Sequence, residues 1–273
     1  MRSNLVISYK TPMEYDEFFT EKSIGFRTKN ITLFKNIVKF VHSILDKVNF
    51  CFEPDGIHIT TMDQSHISFI DCLIPKELFS NYNCGNGNGF IRGIDLNCFS
   101  KILNHLKIED DFIMSFETDC DAMDIKFINT RYTKFYTMKL MVIDQDNLDI
   151  SDLGEISEIT IDSKYFDTIM HDFADIGENF RIKILENKEK ISLKCDGDMT
   201  SLKMVLQDEE ITYKHLKDIE LFFNIEHIQK FTRGNTINKK AEIRIAHNVP
   251  IQLSYSILSA GYIHYYVAPR IED

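Results

Sequence analysis

Apolar positions along this chain alternate between a helical and a strand period in an order that recurs. Residues 25–29 suit a short strand. Over residues 31–46, Leu33, Phe34, Ile37, Val38, Val41 and Leu45 then fall on one helical face, with Lys35, Lys39 and His42 on the other. VNFCFE, a turn at residues 54–56 and IHITTM predict a hairpin, and a short loop, DQSH, leads to a third strand, ISFIDCLI. The order returns with a strand at 90–94, a helix at 96–106 carrying Phe99, Ile102, Leu103 and Leu106 inward, and the strands DFIMSFE, MDIKFIN and KFYTMKL. A third round has EISEITI, Ser163 as the expected N-cap, a helix bearing Phe166, Ile169, Met170, Phe173 and Ile176 that stops at Gly177, and RIKIL, ISLKC and LKMVL. A fourth has DIELFFN, a helix over 225–231, AEIRIA, IQLSYSI and IHYYVAP. Four units of strand, helix and three strands, two per half, predict an α+β fold. The economical form packs two helices on one face of a continuous antiparallel sheet in each half.

Two stretches break the plan. Residues 136–152, YTMKLMVIDQDNLDISD, begin as a strand with Tyr136, Met138 and Leu140 at period two and turn into a partly acidic run carrying Ile143, Leu148 and Ile150. That run is too acidic for a core. It is expected to be a connector strapped over the outside of two similar halves, pinned by its few apolar side chains and leaving a groove beside it. Residues 1–24 mix charges and aromatics around Pro12 without a sustained period, as an extension would. The expected organisation is an extension at 1–24, a first domain at 25–140, a connecting loop at 141–153 and a second domain at 154–273.

The 273 residues, 44 % of them hydrophobic, suffice for two modest domains or one large one. With 31 basic against 42 acidic residues the net charge is −11, which excludes a surface that is basic all over but leaves room for a local basic face. Six cysteines without a CxxC pair or a zinc-type His spacing are expected to be reduced core thiols, as in an intracellular protein. Neither a signal peptide nor an apolar run long enough for a bilayer is evident, so a soluble protein with no membrane partner is expected.

Candidate chemistry is sparse. NCGNGNGF at 83–90 is followed by a strand and not by a helix whose N-terminus could hold phosphate, so it is expected to be a turn. Asp63, Ser65 and His66 have the residue types of a hydrolase triad, but neighbours on one short loop cannot stand in series. The pairs Asp110 with Asp111 and Glu209 with Glu210 are expected in solvated turns. No catalytic residue, metal ligand or cofactor is predicted. A metal-dependent nuclease is the competing class, and magnesium-dependent turnover of DNA would reveal it.

TTMDQSHISF, GIDLNCFSKIL, YTMKLMVID, FDTIMHDFADIG, NVPIQLSYSI and YYVAPRIE resemble, in order and in register, segments of the proliferating cell nuclear antigen family of eukaryotic-type DNA sliding clamps, cellular or from large DNA viruses. The likeness runs from residue 26 to 273. It implies a DNA-clamp fold of two similar domains, three identical subunits closed head to tail around double-stranded DNA, and no enzymatic activity. It also implies DNA polymerase, a clamp loader and other proteins with short interacting peptides as partners, and residence in the nucleus or at a viral replication site. The alternative is a scaffold of the same fold, for instance in transcription, that is not loaded on DNA.

Site residues carried by the resemblance form three groups. Met62, His66, Ile67 and Phe69, with Ile143, Leu148 and Ile150 of the connector and Pro250, Tyr266, Ala268, Pro269 and Ile271, should form a pocket for client peptides. Lys35, Lys39, His42, Lys101, His171, Lys230 and Arg233 should face DNA. Arg131, Tyr136, Thr200, Leu202 and Met204 should lie on the strands that join subunits, over 131–140 and 200–206. The chain departs from the family where Phe69 replaces a smaller aliphatic residue and Val142 an acid. Thr168, Asp175 and Glu226 stand where a basic residue or histidine is usual. In the extension, PMEYDEFF is a partial match to a client peptide, with Tyr15, Phe18 and Phe19 in its apolar slots.

Overall fold

The computed structural model describes residues 23–63, 65–85, 89–144, 156–185, 190–207, 211–214, 217–247 and 249–270. The extension up to residue 22, Leu148 and Ile150 of the connector, the pair Glu209 and Glu210, and Ile271 lie outside them.

The first half runs β1 (Ser23–Thr28), α1 (Ile31–His42), β2 (Lys47–Glu53), β3 (Gly56–Met62), β4 (Ser68–Pro75), β5 (Asn81–Asn83), β6 (Phe90–Asp95), α2 (Leu96–Asn104), β7 (Asp111–Glu117), β8 (Ala122–Ile128) and β9 (Thr133–Lys139). The second half repeats it: β10 (Ser157–Asp162), α3 (Ser163–Ala174), β11 (Asn179–Leu185), β12 (Lys190–Asp196), β13 (Ser201–Leu206), β14 (Thr212–Lys214), β15 (Ile219–Asn224), α4 (Ile225–Thr232), β16 (Lys240–Ile245), β17 (Ile251–Ile257) and β18 (Gly261–Val267). All the expected strands and helices form. The three-residue strands β5 and β14 are additions, too short to show an alternation.

α2, α3 and α4 start where a side chain takes up orphan N–H groups, whereas Asn30 before α1 makes no such bond. Asp95 accepts from the Cys98 N–H at 2.9 Å, Asn224 from Glu226 at 2.8 Å, and Asp162 from Lys164 and Tyr165 at 3.0 and 2.9 Å. Ser163 is therefore not the cap expected of it. It is the first helical residue and is buried. α1 closes at His42, short of the expected Asp46, with Ser43 as its C-cap.

Strand pairing is antiparallel throughout the described ladders, but the sheets are not one per half. β5-β1-β7-β8-β9 form a five-stranded sheet and β13-β12-β11-β15 a four-stranded one, while β14-β10-β16-β17-β18-β4-β3-β2-β6 form a nine-stranded sheet that runs through both halves. The expectation of a continuous sheet within each half is corrected: continuity passes between halves, because β4 pairs with β18 from Leu73 opposite Tyr262 to Ser68 opposite Val267. Pairing partners are chosen by tertiary contact, which the local pattern does not encode.

Each sheet buries one face under helices. Phe26, Phe34, Phe99 and Phe112 fill the first half and Phe166, Phe173 and Phe180 the second, all nearly solvent-free. At the junction Phe231 of α4 stacks on Tyr255 at 4.2 Å and meets Phe40 of α1 edge-on at 6.2 Å. The helices thus lie side by side in the order α2, α1, α4, α3. Cys51, Cys72 and Cys195 are buried, as expected of core thiols, but Cys98 and Cys120 are exposed.

Candidate partner groove and nucleic-acid interface

The loop between β3 and β4 is organised by one carboxylate. Asp63, buried, accepts the N–H groups of Ile67 at 3.0 Å and Ser68 at 2.8 Å, and the Ser65 hydroxyl donates to it as well. Burial works against its ionisation, but these hydrogen bonds and the nearby His227 outweigh burial and hold the carboxyl below the usual carboxylate range. The loop then forces His66 into the left-handed region at φ 55°, an uncommon place for a residue with a Cβ. Its N–H bonds back to the Asp63 carbonyl at 3.0 Å, and Nδ1 lies 3.0 Å from the Met62 sulfur. The three residues do not stand in a triad: the serine serves the aspartate, and the imidazole faces a thioether.

Beside this loop is a groove of about 690 Å³. Met62, Asp63, Ser65 and His66 line one side, residues 44–47 at the end of α1 another, and Ile143 and Asp144 of the connector the rim. The connector is tied down at its start. Met141 and Gly93 exchange backbone hydrogen bonds of 3.1 and 2.8 Å, and the Ile143 carbonyl accepts from Asn49 Nδ2 at 3.0 Å. Cross-strand register sets Met62 opposite Phe69 and Phe69 opposite Tyr266, so the three share one sheet face. Phe69 and Tyr266 are buried, with ring centroids 5.7 Å apart, and do not line this groove themselves; of the described residues expected in the pocket, Met62, His66 and Ile143 do. Burial, then the charge of Asp71, pushes the Tyr266 phenol up to about 12, so it stays a protonated donor. Ile67 is exposed and its carbonyl accepts the Ala268 N–H at 3.0 Å; Pro269 is half-buried and Pro250 exposed.

Ile44, Leu45, Asp46 and Lys47 were not foreseen in the groove. They follow the C-terminus of α1, where no side-chain pattern distinguishes them from an ordinary helix exit. Lys230 also departs from expectation. It lines this groove and pairs with Glu226 at 3.6 Å, a position not foreseen from its place on the polar stripe of α4.

The other residues expected on the DNA face are spread along the helix layer. Lys39, Lys101 and Arg233 are exposed, as is His171, which lies 3.8 Å from Asp167. Lys35 donates to the Leu106 carbonyl at 3.0 Å and so closes the end of α2. His42 is held between Asn97 at 3.0 Å and Ser100 at 2.9 Å.

β9 and β13 occupy the ends of the five-stranded and four-stranded sheets. Phe135 on β9 is 67 % exposed and Val205 on β13 is 37 % exposed, while Tyr136, Leu202 and Met204 are half-buried on the opposite sides of their strands. Arg131 and Thr200 are exposed at the turns that lead into the two strands. Asp110 and Asp111, expected in solvated turns, are buried instead. Asp110 takes the Lys107 N–H, Asn129 and Tyr132, and Asp111 pairs with Arg27.

A duplicated half, a layer of four helices, a strapped groove and two open strand edges define the DNA sliding clamps, the processivity factors of replication. The family model described as "Proliferating cell nuclear antigen, N-terminal domain" matches residues 24–149, and that of the C-terminal domain matches residues 149–270. The chain belongs to the proliferating cell nuclear antigen family and is a DNA sliding clamp. It is 25 % identical over 257 residues to proliferating cell nuclear antigen of Chaetomium thermophilum, spanning 90 % of this chain and 98 % of that one. The crystal structure of the Entamoeba histolytica protein superposes with a TM-score of 0.82 at 25 % identity, covering 91 % of this chain and 98 % of that one.

Proposed function

We propose that three copies of this chain close head to tail around duplex DNA, each pairing its β9 with β13 of the next. One observation carries the reading. Within the chain, β4 of the first half pairs antiparallel with β18 of the second. By element order, β13 is the second-half counterpart of β4, and β9 the first-half counterpart of β18. The β9 and β13 edges are therefore the same complementary pair that makes the internal junction. Unpaired edges of this length invite pairing, and a heterologous contact that closes on itself covers both of these in every subunit.

The groove beside the connector takes the short peptides of client proteins, including DNA polymerase and the clamp loader. Its apolar lining of Ile44, Leu45, Met62 and Ile143 supports a helical plug with aromatic anchors. The clamp turns nothing over itself, as its family does not, and Asp63, Ser65 and His66 brace a loop. It works in the nucleus, or at a viral replication site, retained on DNA by encirclement and not by tight contact. Stimulation of a cognate polymerase on primed circular DNA, dependent on loader and ATP, tests the reading. Absence of stimulation with an intact ring would refute it.

A further inference from the structure

The helix layer carries opposite charge in its two halves. α1 and α2, ITLFKNIVKFVH and LNCFSKILN, hold three lysines, Lys35, Lys39 and Lys101, and no carboxylate, with one acid, Asp95, at the N-cap of α2. α3, SKYFDTIMHDFA, holds Lys164 against Asp167 and Asp172, and its C-cap Asp175 adds a third acid. α4 is close to balanced, with Glu226 against Lys230 and the C-cap Arg233. Asp172 and Asp175 are as exposed as Lys39 and Lys101, so the difference faces solvent. Lys35 keeps its charge while its ammonium is tied to the Leu106 carbonyl, and Lys39 and Lys101 are the exposed lysines of α1 and α2.

We propose that duplex DNA is contacted by the α1–α2 surface of each subunit and repelled by α3. The hole then presents three attractive stations alternating with three repulsive ones, although the backbone repeat is sixfold. The inference rests on the ring proposed above. The separation survives in physiological salt because the screening length there, about 8 Å, is no larger than the ~10 Å width of one helix. DNA carries a charge about every 1.7 Å of its axis, so it senses each station separately.

Photo-crosslinking tests this with full-length protein and a short duplex at physiological salt. A benzophenone side chain is placed at exposed Asn104 on α2 or at exposed Thr168 on α3. Crosslinking at position 104 should exceed that at 168 roughly fivefold or more, the scale on which potentials of a few kT concentrate counter-ions. Asp172→Lys with Asp175→Lys should raise the yield at 168 toward that at 104, and Lys39→Glu with Lys101→Glu should lower the yield at 104. Equal yields at the two positions in a protein that light scattering shows to be a ring would overturn this inference alone. Crosslinking at neither position in a protein that scatters as a monomer would overturn the ring reading and this inference with it.

Discussion

Replacing Asp63 by alanine should uncouple the loop that shapes the groove from the rest of the fold. The carboxylate accepts from two backbone N–H groups and one hydroxyl. A hydrogen bond to a charged group contributes about 1.5–3 kcal/mol. Ile67 and Ser65 lie where water can replace part of the loss, whereas Ser68 is 2 % exposed and its N–H would be left without its side-chain acceptor. A destabilisation of about 2–3 kcal/mol follows. It should appear as a lower urea midpoint with an unchanged slope, measured at fixed protomer concentration because assembly itself adds stability. His66 holds φ 55° only inside this brace, so client-peptide affinity by calorimetry should fall about tenfold or more, ~1.4 kcal/mol. Asp63→Asn keeps an acceptor and should lose about half of each effect. Because the folded state lowers this carboxyl, its contribution is complete above the unfolded value near 4 and fades as pH falls through the folded one. An alanine variant with the parent's midpoint and peptide affinity would refute the brace.

Other outcomes follow from the same geometry. Ile143→Asp should cut client-peptide affinity by more than ~2 kcal/mol, the scale of a hot spot, and leave the urea midpoint alone; unchanged calorimetry would remove Ile143 from the site. Light scattering should give three times 31.9 kDa, and Val205→Pro, which removes a backbone donor from β13, or Arg131→Glu should shift it toward the single chain; a parent protein that is already monomeric at micromolar concentration would contradict the edge pairing. Burial, then Arg244, lowers His264 to about 4, so the fold loses stability as pH drops from about 6.5 toward 4 while the unfolded chain takes up the proton. His264→Gln should flatten that part of the pH–stability curve, and an identical slope would show the ring to be protonated at no cost. Deleting residues 1–22 should tighten client-peptide binding severalfold if Tyr15, Phe18 and Phe19 visit the groove, and equal affinities would exclude that visit.

The helices and long strands were legible because each has a one-sided apolar pattern, as Phe34, Ile37, Val38 and Val41 show for α1. Element ends were less so. In the run Thr160-Ile161-Asp162-Ser163 both Asp162 and Ser163 could cap, and only the backbone geometry, ψ 131° at Asp162, selects Asp162. The junction of β4 with β18 joins residues nearly two hundred positions apart, and nothing in either strand names the other. The groove was half legible. Met62, His66 and Ile143 carry motif residues, whereas residues 44–47 and Lys230 are brought there by the packing of α1 on α4. Asp63 was visible as a residue, but its work on the loop was not, because a carboxylate accepting backbone N–H groups leaves no spacing rule behind.

The shared nine-stranded sheet also has a mechanical consequence. The joint between the two halves is made of continuous ladder hydrogen bonds and is backed by the Phe40, Phe231 and Tyr255 rings. A ring closed as proposed would contain joints of one shape but two stiffnesses, since the copy made between chains would lack covalent continuity. Strain applied by a machine that pries the ring apart would concentrate at the seam between β9 and β13, while each chain swings as a rigid arc. Where the ring opens is thus decided by which joints the polypeptide runs through.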